Sequence, residues 1–343
     1  MTEVRICEMS PRDGLQFFGV SIPDQVHLIQ VDKKLELIRT LEQSGLGYIE
    51  VGSFVNPTRT PQMGNTDELA KRLRQTRPAS GIQYAALVPN IKGYRRFKDC
   101  ELDVVALFPS ACEHHSKANF GAPIDEVLAW AEEVAQAAQR DKKALRGHVS
   151  AAFQNIHYGH RDSDLETVIR VCQRLFNLGC EYLTLADTNG ETTPRRVSEV
   201  LEGVGNVFGG LKNIGVHLHD RNGAGLCNAL AAYNAGVRIF DSSVGGIGGS
   251  YAASKLRAGA KGNIAGNIAT EQLVDLFNKL GVETHVNLEA LYRAGKIIYE
   301  ITQITGDFAP PSMLIREQLG YGIVWANEPP QHKECFITKE KAA

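Results

Sequence analysis

Apolar positions along the chain follow two alternating spacings. Short β-branched or aliphatic runs occur at Val4 to Met9, Tyr48 to Val51, Gln83 to Val88, Val104 to Phe108, Gly147 to Ala152, Tyr182 to Ala186, Gly215 to His219 and Val237 to Ser242. Between them lie longer stretches in which apolar residues return every three or four positions, as in Lys33 to Gln43, Pro123 to Arg140, Asp164 to Leu178 and Gly225 to Ala235. The first spacing is that of strands and the second that of amphipathic helices. Eight strands alternating with helices predict an α/β fold, a closed parallel (β/α)8 barrel of the TIM type, in preference to an open sheet.

After the eighth run comes a glycine-rich segment, GGIGGSYAASKLRAGAKGNIAGNIATE, then a helix-like stretch from Leu288 to Ile304 and a tail made irregular by Pro310, Pro311, Pro329 and Pro330. The predicted division is a catalytic barrel over residues 1–287 and an extension over residues 288–343, packed on the barrel or on a partner subunit. GNIA occurs twice in tandem, at Gly262 to Ala265 and Gly266 to Ala269, too short a unit to be a structural repeat.

Composition narrows the function classes. A net charge of -2, from 37 basic and 39 acidic residues, carries no footprint for nucleic acid or an anionic membrane. No apolar run is long enough to span a bilayer, and the first residues lack a secretory layout, so a cytoplasmic protein acting on a small molecule is expected. The seven cysteines form no C-x-x-C pair, and their odd number argues for reduced thiols and against a disulfide framework.

Candidate chemistry gathers at the predicted strand ends, where a barrel of this type keeps its active site. His217 and His219 stand two apart in a strand, so both imidazoles face one side. Such a pair is compatible with hydrogen-bonded barrel histidines as well as with a metal. Asp220 and Asn222 add oxygen donors directly afterwards, and Arg12 and Asp13, in SPRDGLQ, border the last strand once the barrel closes. A donor set of imidazole, carboxylate and amide without thiolate favours Mg2+ or Mn2+ and leaves room for substrate oxygens. Beside such an ion Arg12 would steady an enolate. Glu50 and Asp187 end two other strands, and each is as readily structural as functional.

SPRDGLQ, YIEVGSFVNPTRTPQMG, LVPNIKGY, LADTNGETTP, VHLHDRNGAGLCNALAAYNAGV, FDSSVGGIGG and GNIATE occur in this order over roughly residues 4 to 300. Together they resemble the 3-hydroxy-3-methylglutaryl-CoA lyase branch of the metal-dependent barrel lyases and acyl-transfer synthases. The resemblance implies that Asp13, His217, His219 and Asn267 are metal ligands, Arg12 the enolate stabiliser, and Glu50 and Asp187 polar groups near substrate or ligand. Asn267 follows from the resemblance alone, and the duplicated Asn263 competes with it. Homodimers or higher homo-oligomers are common in such a family, and a CoA thioester is a substrate moiety implied only by the likeness.

The departures bear on substrate and proton transfer. Where the lyases carry a reactive cysteine after Gly-Gly, this chain has Ser250, a far weaker acid than a thiol. The same loop is lengthened, the first loop carries FFGVSIPDQVHLIQ, and His114, His115, His157 and His160 fall in predicted loops, each expected at the surface. Any of these histidines is a candidate replacement proton carrier. Asp187 or the region of His219 is the candidate base, and Ser250 or a loop histidine its reprotonating partner. The leading expectation is a carbon–carbon lyase of the retro-aldol or retro-Claisen type. The alternatives are a synthase condensing an acyl-CoA with a 2-oxo acid, whose loop G-[IL]-G-E-R-[AS]-G-N is not matched by GGIGGSYAAS, and a non-catalytic metal-binding homologue.

Overall fold

The computed structural model describes residues 3–16, 28–75, 81–153, 164–221, 223–249 and 266–305. Its centre is a closed barrel of eight parallel strands in sequential order. The strands are β1 (Arg5–Glu8), β2 (Tyr48–Ser53), β3 (Gln83–Leu87), β4 (Val104–Leu107), β5 (Ala144–Val149), β6 (Tyr182–Asp187), β7 (Ile214–Leu218) and β8 (Ile239–Ser242). Parallel pairing of Arg5 to Glu8 with Ile239 to Ser242 closes the ring.

Around the barrel run α1 (Val31–Glu42), α2 (Thr66–Gln75), α3 (Ile91–Lys98), α4 (Glu113–Phe120), α5 (Ile124–Arg140), α6 (Leu165–Asn177), α7 (Pro194–Phe208), α8 (Gly225–Ala235), α9 (Thr270–Lys279) and α10 (Leu288–Thr305). Most of these helices turn an apolar stripe inward, whereas the short α4 buries His115 and Ser116. In α6, for example, Val168, Val171, Cys172 and Leu175 are buried, at the three- and four-residue steps an α-helix needs. Local signals fix the starts: Asp164 accepts from Glu166 N–H at the head of α6, and Thr193 from Arg196 N–H at the head of α7. α9 and α10 fill the space between α8 and α1, and Lys33 of α1 donates to Glu300 of α10 at 2.5 Å. Among the described residues no helix is long and apolar enough to cross a membrane.

Two cores result. The larger lies between strands and helices and takes Ile6, Ile49, Val51, Val105, Leu145, Val149, Leu183, Leu185, Val216, Leu218 and Phe240 from the outward positions of the strands. The smaller fills the barrel, with Cys7, Met9, Tyr48, Ala85, Val104 and Tyr182. Above this apolar plug the inward positions turn polar, and there the strand ends bring Glu50, His148, Thr184, His217 and Asp241 together.

Two expectations need correction. The fifth strand begins at Ala144, three residues ahead of the predicted Gly147, because the charged Arg146 points into the barrel and is fully buried there. His114 and His115 lie in helix α4 and not in a loop. His115 is not a surface residue: it is buried, its Nδ1 stands 3.0 Å from Ser110 Oγ, and burial lowers its pKa to about 4.

Candidate metal centre and its polar ring

Asp13 is presented by a π-helical turn, Ser10–Gly14, directly after β1. Gly14 N–H reaches back to Met9 C=O at 3.1 Å and Leu15 N–H to Ser10 C=O at 3.0 Å, the wide spacing that such turns use at functional sites. Glu8 anchors the turn: its buried carboxyl accepts from Ser10 N–H at 2.8 Å, Val244 N–H at 3.1 Å and Thr270 Oγ1 at 2.7 Å. Burial raises the Glu8 pKa to about 7 against the pull of those donors.

Opposite, β7 turns His217 inward, and His219 follows just beyond the strand with the same parity. The segment from Gly266 returns antiparallel to the end of β7, with Ile268 N–H on Leu218 C=O at 3.0 Å and Asp220 N–H on Gly266 C=O at 2.7 Å. This pairing sets Asn267 across from His219. Gly266 has to be glycine, since a Cβ there would lie 1.9 Å from Gly246 C=O. The competing Asn263 lies outside the described residues.

Asp13, His217 and His219 form the one cluster among the described residues whose ligating atoms all lie within 4.8 Å of one another. Asp13 Oδ2 is 3.9 Å from His217 Nε2 and 3.7 Å from His219 Nε2, and the two imidazole nitrogens are 3.1 Å apart. Asn267 Nδ2 donates to Asp13 Oδ2 at 2.7 Å. Burial opposes ionisation of Asp13, but the Arg12 guanidinium and the two imidazoles overcome it and hold the carboxyl well below the usual carboxylate range. Burial also lowers the pKa of His219, which favours the uncharged ring that a cation needs.

These residues fit a hard divalent cation. The donors are oxygen and imidazole with no thiolate. Asn267 Oδ1 is buried with no hydrogen-bond partner, a cost of about 1–3 kcal/mol that ligation would remove. Asp220 is not part of the cluster, because its carboxylate accepts from Gly225 N–H at 2.9 Å at the head of α8. Asn222 lies outside the described residues.

Arg12 donates to Asp13 through Nη1 and to Glu50 through Nε, so its guanidinium is held between two carboxylates. Glu50 is fully buried, and Arg12 and His148 pull its pKa down to about 2 against desolvation. His148 Nε2 lies 3.1 Å from Glu50 Oε2 and its Nδ1 2.7 Å from Thr184 Oγ1. A carboxylate only accepts, so the His148 proton sits on Nε2 and Thr184 donates to Nδ1. Arg146 donates to Thr184 and to Asp241, and Asp241 Oδ2 stands 3.2 Å from His217 Nδ1. The contacts thus run in a ring from Asp13 through Arg12, Glu50, His148, Thr184, Arg146 and Asp241 back to His217.

Asp187 has a different setting. It shares the outward parity of Leu183 and Leu185, and its oxygens accept from Glu191 N–H at 3.2 Å and Thr192 N–H at 3.1 Å. Burial raises its pKa to about 7. The structure therefore gives this carboxyl to the loop after β6. Ser250, His157 and His160 lie outside the described residues. Sequence reasoning passed over Arg146, His148, Thr184 and Asp241; the signal available was the i, i+2 pairing of Arg146 with His148, the same parity argument already applied to His217 and His219.

The glycine-rich loop comes close to the cluster. Gly248 has φ +120°, and a Cβ on it would lie 2.3 Å from Asn267 Nδ2 and 2.9 Å from Asp13 Oδ2. Gly248→Ala is expected to displace both side chains and weaken Mn2+ binding about 10–100-fold, measured by titration calorimetry. An affinity equal to that of the parent protein would show that the loop has room to give.

Comparison with known proteins places this geometry in a family. The HMGL-like family model matches residues 3–298. The human cytoplasmic 3-hydroxy-3-methylglutaryl-CoA lyase is 36% identical over 300 residues, covering 86% of this chain and 74% of the human protein. A 3-hydroxy-3-isohexenylglutaryl-CoA/hydroxy-methylglutaryl-CoA lyase of Pseudomonas aeruginosa is 36% identical over 296 residues, covering 86% of this chain and 92% of its own. Among solved structures, the Bacillus subtilis HMG-CoA lyase superposes with a TM-score of 0.81 at 32% identity, covering 94% of this chain and 99% of that one. An Acinetobacter baumannii HMG-CoA lyase in complex with coenzyme A and 3-methylmalate superposes with a TM-score of 0.79 at 29% identity, covering 95% and 98% of the two chains. With its closed barrel, its convergent aspartate and histidines and its match along most of the sequence, this chain belongs to the HMGL-like family of barrel lyases.

Proposed function

We propose that this protein is a divalent-metal-dependent carbon–carbon lyase that cleaves a 3-hydroxy acyl-CoA of the 3-hydroxy-3-methylglutaryl type. The observation that carries the reading is the convergence of Asp13, His217 and His219, with Arg12 bonded to Asp13. Relatives named for both methyl and isohexenyl substrates support a pocket in which the substituent at the 3-carbon varies.

Mg2+ or Mn2+ held by Asp13, His217, His219 and Asn267 would supply Lewis-acid polarisation of substrate oxygens. The chain's own residues do the rest. Arg12, fixed by Asp13 and Glu50, presents a permanent positive charge to the enolate oxygen that forms as the bond breaks. Glu50 is kept ionised by Arg12 and His148, so the guanidinium stays in place through turnover. Asp187 shapes the loop after β6 through its two amide contacts and is assigned to positioning, so removal of the hydroxyl proton that accompanies cleavage is assigned to the region of His219, the other candidate base. Ser250 follows Gly248 and Gly249 directly, and we assign return of a proton to the enolate carbon to the segment it begins.

The test is direct. The protein is stripped with a chelator and supplied with 3-hydroxy-3-methylglutaryl-CoA, with or without Mg2+ or Mn2+. Cleavage between carbons 2 and 3 releases acetyl-CoA and acetoacetate, both measurable by coupled assay. Activity that depends on the added ion is expected; full turnover in the chelated sample, or none on any 3-hydroxy-3-alkylglutaryl thioester, would overturn the reading. Ser250→Cys is expected to raise the rate and Ser250→Ala to lower it, since a thiol near pKa 8.5 exchanges protons more readily than a hydroxyl. Equal rates in all three proteins would move the proton carrier elsewhere.

A further inference from the structure

A metal-binding imidazole has to be turned toward the cation, and the nitrogen that faces it has to be free of its proton. For His217 the groups that decide both lie on the side of the ring away from Asp13. Register between β7 and β8 pairs His217 with Asp241, and Asp241 Oδ2 is 3.2 Å from His217 Nδ1. A carboxylate only accepts, so the ring proton sits on Nδ1 and leaves the Nε2 lone pair open. Nε2 is the atom that faces His219 Nε2 at 3.1 Å and Asp13 Oδ2 at 3.9 Å.

The other oxygen of Asp241 is taken by Arg146 Nη2. Both side chains are 0% exposed, so no bulk water competes for either. The guanidinium carbon sits 4.6 Å from the centre of the Tyr48 ring and 4.9 Å from that of Tyr182, clamped between two aromatic faces. His148 Nδ1 also comes within 3.6 Å of Asp241 Oδ2, but Thr184 satisfies it at 2.7 Å.

We propose that Asp241 and Arg146 are a positioning pair that locks His217 in its Nδ1–H tautomer and thereby sets the affinity of the Asp13–His217–His219 site for a divalent cation. The proposal rests on the metal-binding reading given above. Neither residue touches cation or substrate; both act through His217. Arg146 belongs to the device because a guanidinium has donors only and demands an acceptor at the Oδ1 position. An amide at residue 241 must then give its oxygen to Arg146 and turn its NH2 toward His217. That reverses the ring: Nδ1 becomes the acceptor, and the proton moves to Nε2, the atom needed by the cation.

The test compares the full-length protein with Asp241→Asn. In metal-free samples labelled with 15N-histidine, long-range 1H–15N correlation reads the tautomer of His217, assigned by difference from His217→Gln. Expected are a proton on Nδ1 in the parent protein and on Nε2 in Asp241→Asn. Mn2+ titration followed by electron paramagnetic resonance is expected to show a 10–100-fold weaker Kd for the variant, with circular dichroism checking that it is folded. A folded Asp241→Asn that binds Mn2+ within twofold of the parent overturns the proposal. So does a parent protein whose His217 carries its proton on Nε2, a measurement that decides the matter even if the variant does not fold. Failure of the parent protein itself to bind Mn2+ removes the metal-binding reading and this proposal together, whereas parent binding with an unaffected variant removes the positioning pair alone.

Discussion

Arg12→Gln is expected to lower kcat by about 10²–10³-fold with little change in KM. A preorganised donor aimed at charge that develops only in the transition state has an effect of this size. In this chain the substitution also leaves Glu50 without its main counter-charge. Glu50 is fully buried, and its pKa of about 2 depends on Arg12 and His148 working against desolvation. Once Arg12 is neutralised, that carboxyl moves up toward and past its ordinary value. The sign follows: the stabilisation from a depressed carboxyl is present above its unfolded pKa and lost as pH falls through the folded one. In the parent protein that loss belongs between about pH 4 and 2; in Arg12→Gln a carboxyl raised past its ordinary value reverses the sign, so the variant loses stability as pH rises and its deficit against the parent is larger at pH 7 than at pH 4. Initial rates across substrate concentrations, with urea unfolding at pH 7 and pH 4, check both halves. A variant within tenfold of the parent kcat would remove Arg12 from the reacting atoms.

Arg146→Met is expected to be the most destabilising single change in the barrel interior, by about 3–5 kcal/mol. Removing one partner of a buried ion pair leaves the other charge unpaired where water cannot reach it. Here the stranded group is Asp241, whose pKa is held well below the usual carboxylate range by Arg146 and His217 against its burial. The substitution also takes the guanidinium from between Tyr48 and Tyr182 and leaves an uncharged methionine that makes no cation–π contact there. Urea unfolding followed by tryptophan fluorescence gives the difference directly; a loss below about 1 kcal/mol would mean that Asp241 had taken up a proton or a water at little cost. Arg146→Met with Asp241→Leu is expected to recover part of the loss, since the second change removes the stranded charge.

Much of the barrel is legible because strands and helices carry different apolar periods, and because most outward strand positions, such as Val216 and Leu218, are apolar. The fifth strand was read late for the same reason. Its first half, Ala144 to Arg146, ends in a charge, and periodicity cannot know that a partner for Arg146 waits 95 residues away at Asp241. His217 and His219 were readable from parity alone. Asn267 was not, since the tandem GNIA offers two equivalent asparagines; the Gly246 carbonyl against Gly266 and the pairing with His219 set the register. Asp187 shows the opposite limit. A carboxylate at a strand end looks the same in sequence whether it faces substrate or, as here, two loop amides. His115 resembled its neighbour His114 in sequence, yet it is buried on the inner face of α4.

The hydrogen bond from Asn267 to Asp13 joins residues 254 positions apart. Closing so large a loop carries an entropic cost that only the finished β1–β8 seam can offset. A ribosome that has released only the first three-quarters of the polypeptide has therefore made Asp13, Arg12, His217 and His219 but not Asn267, so the polar cluster is completed only by a segment from the last quarter of the chain.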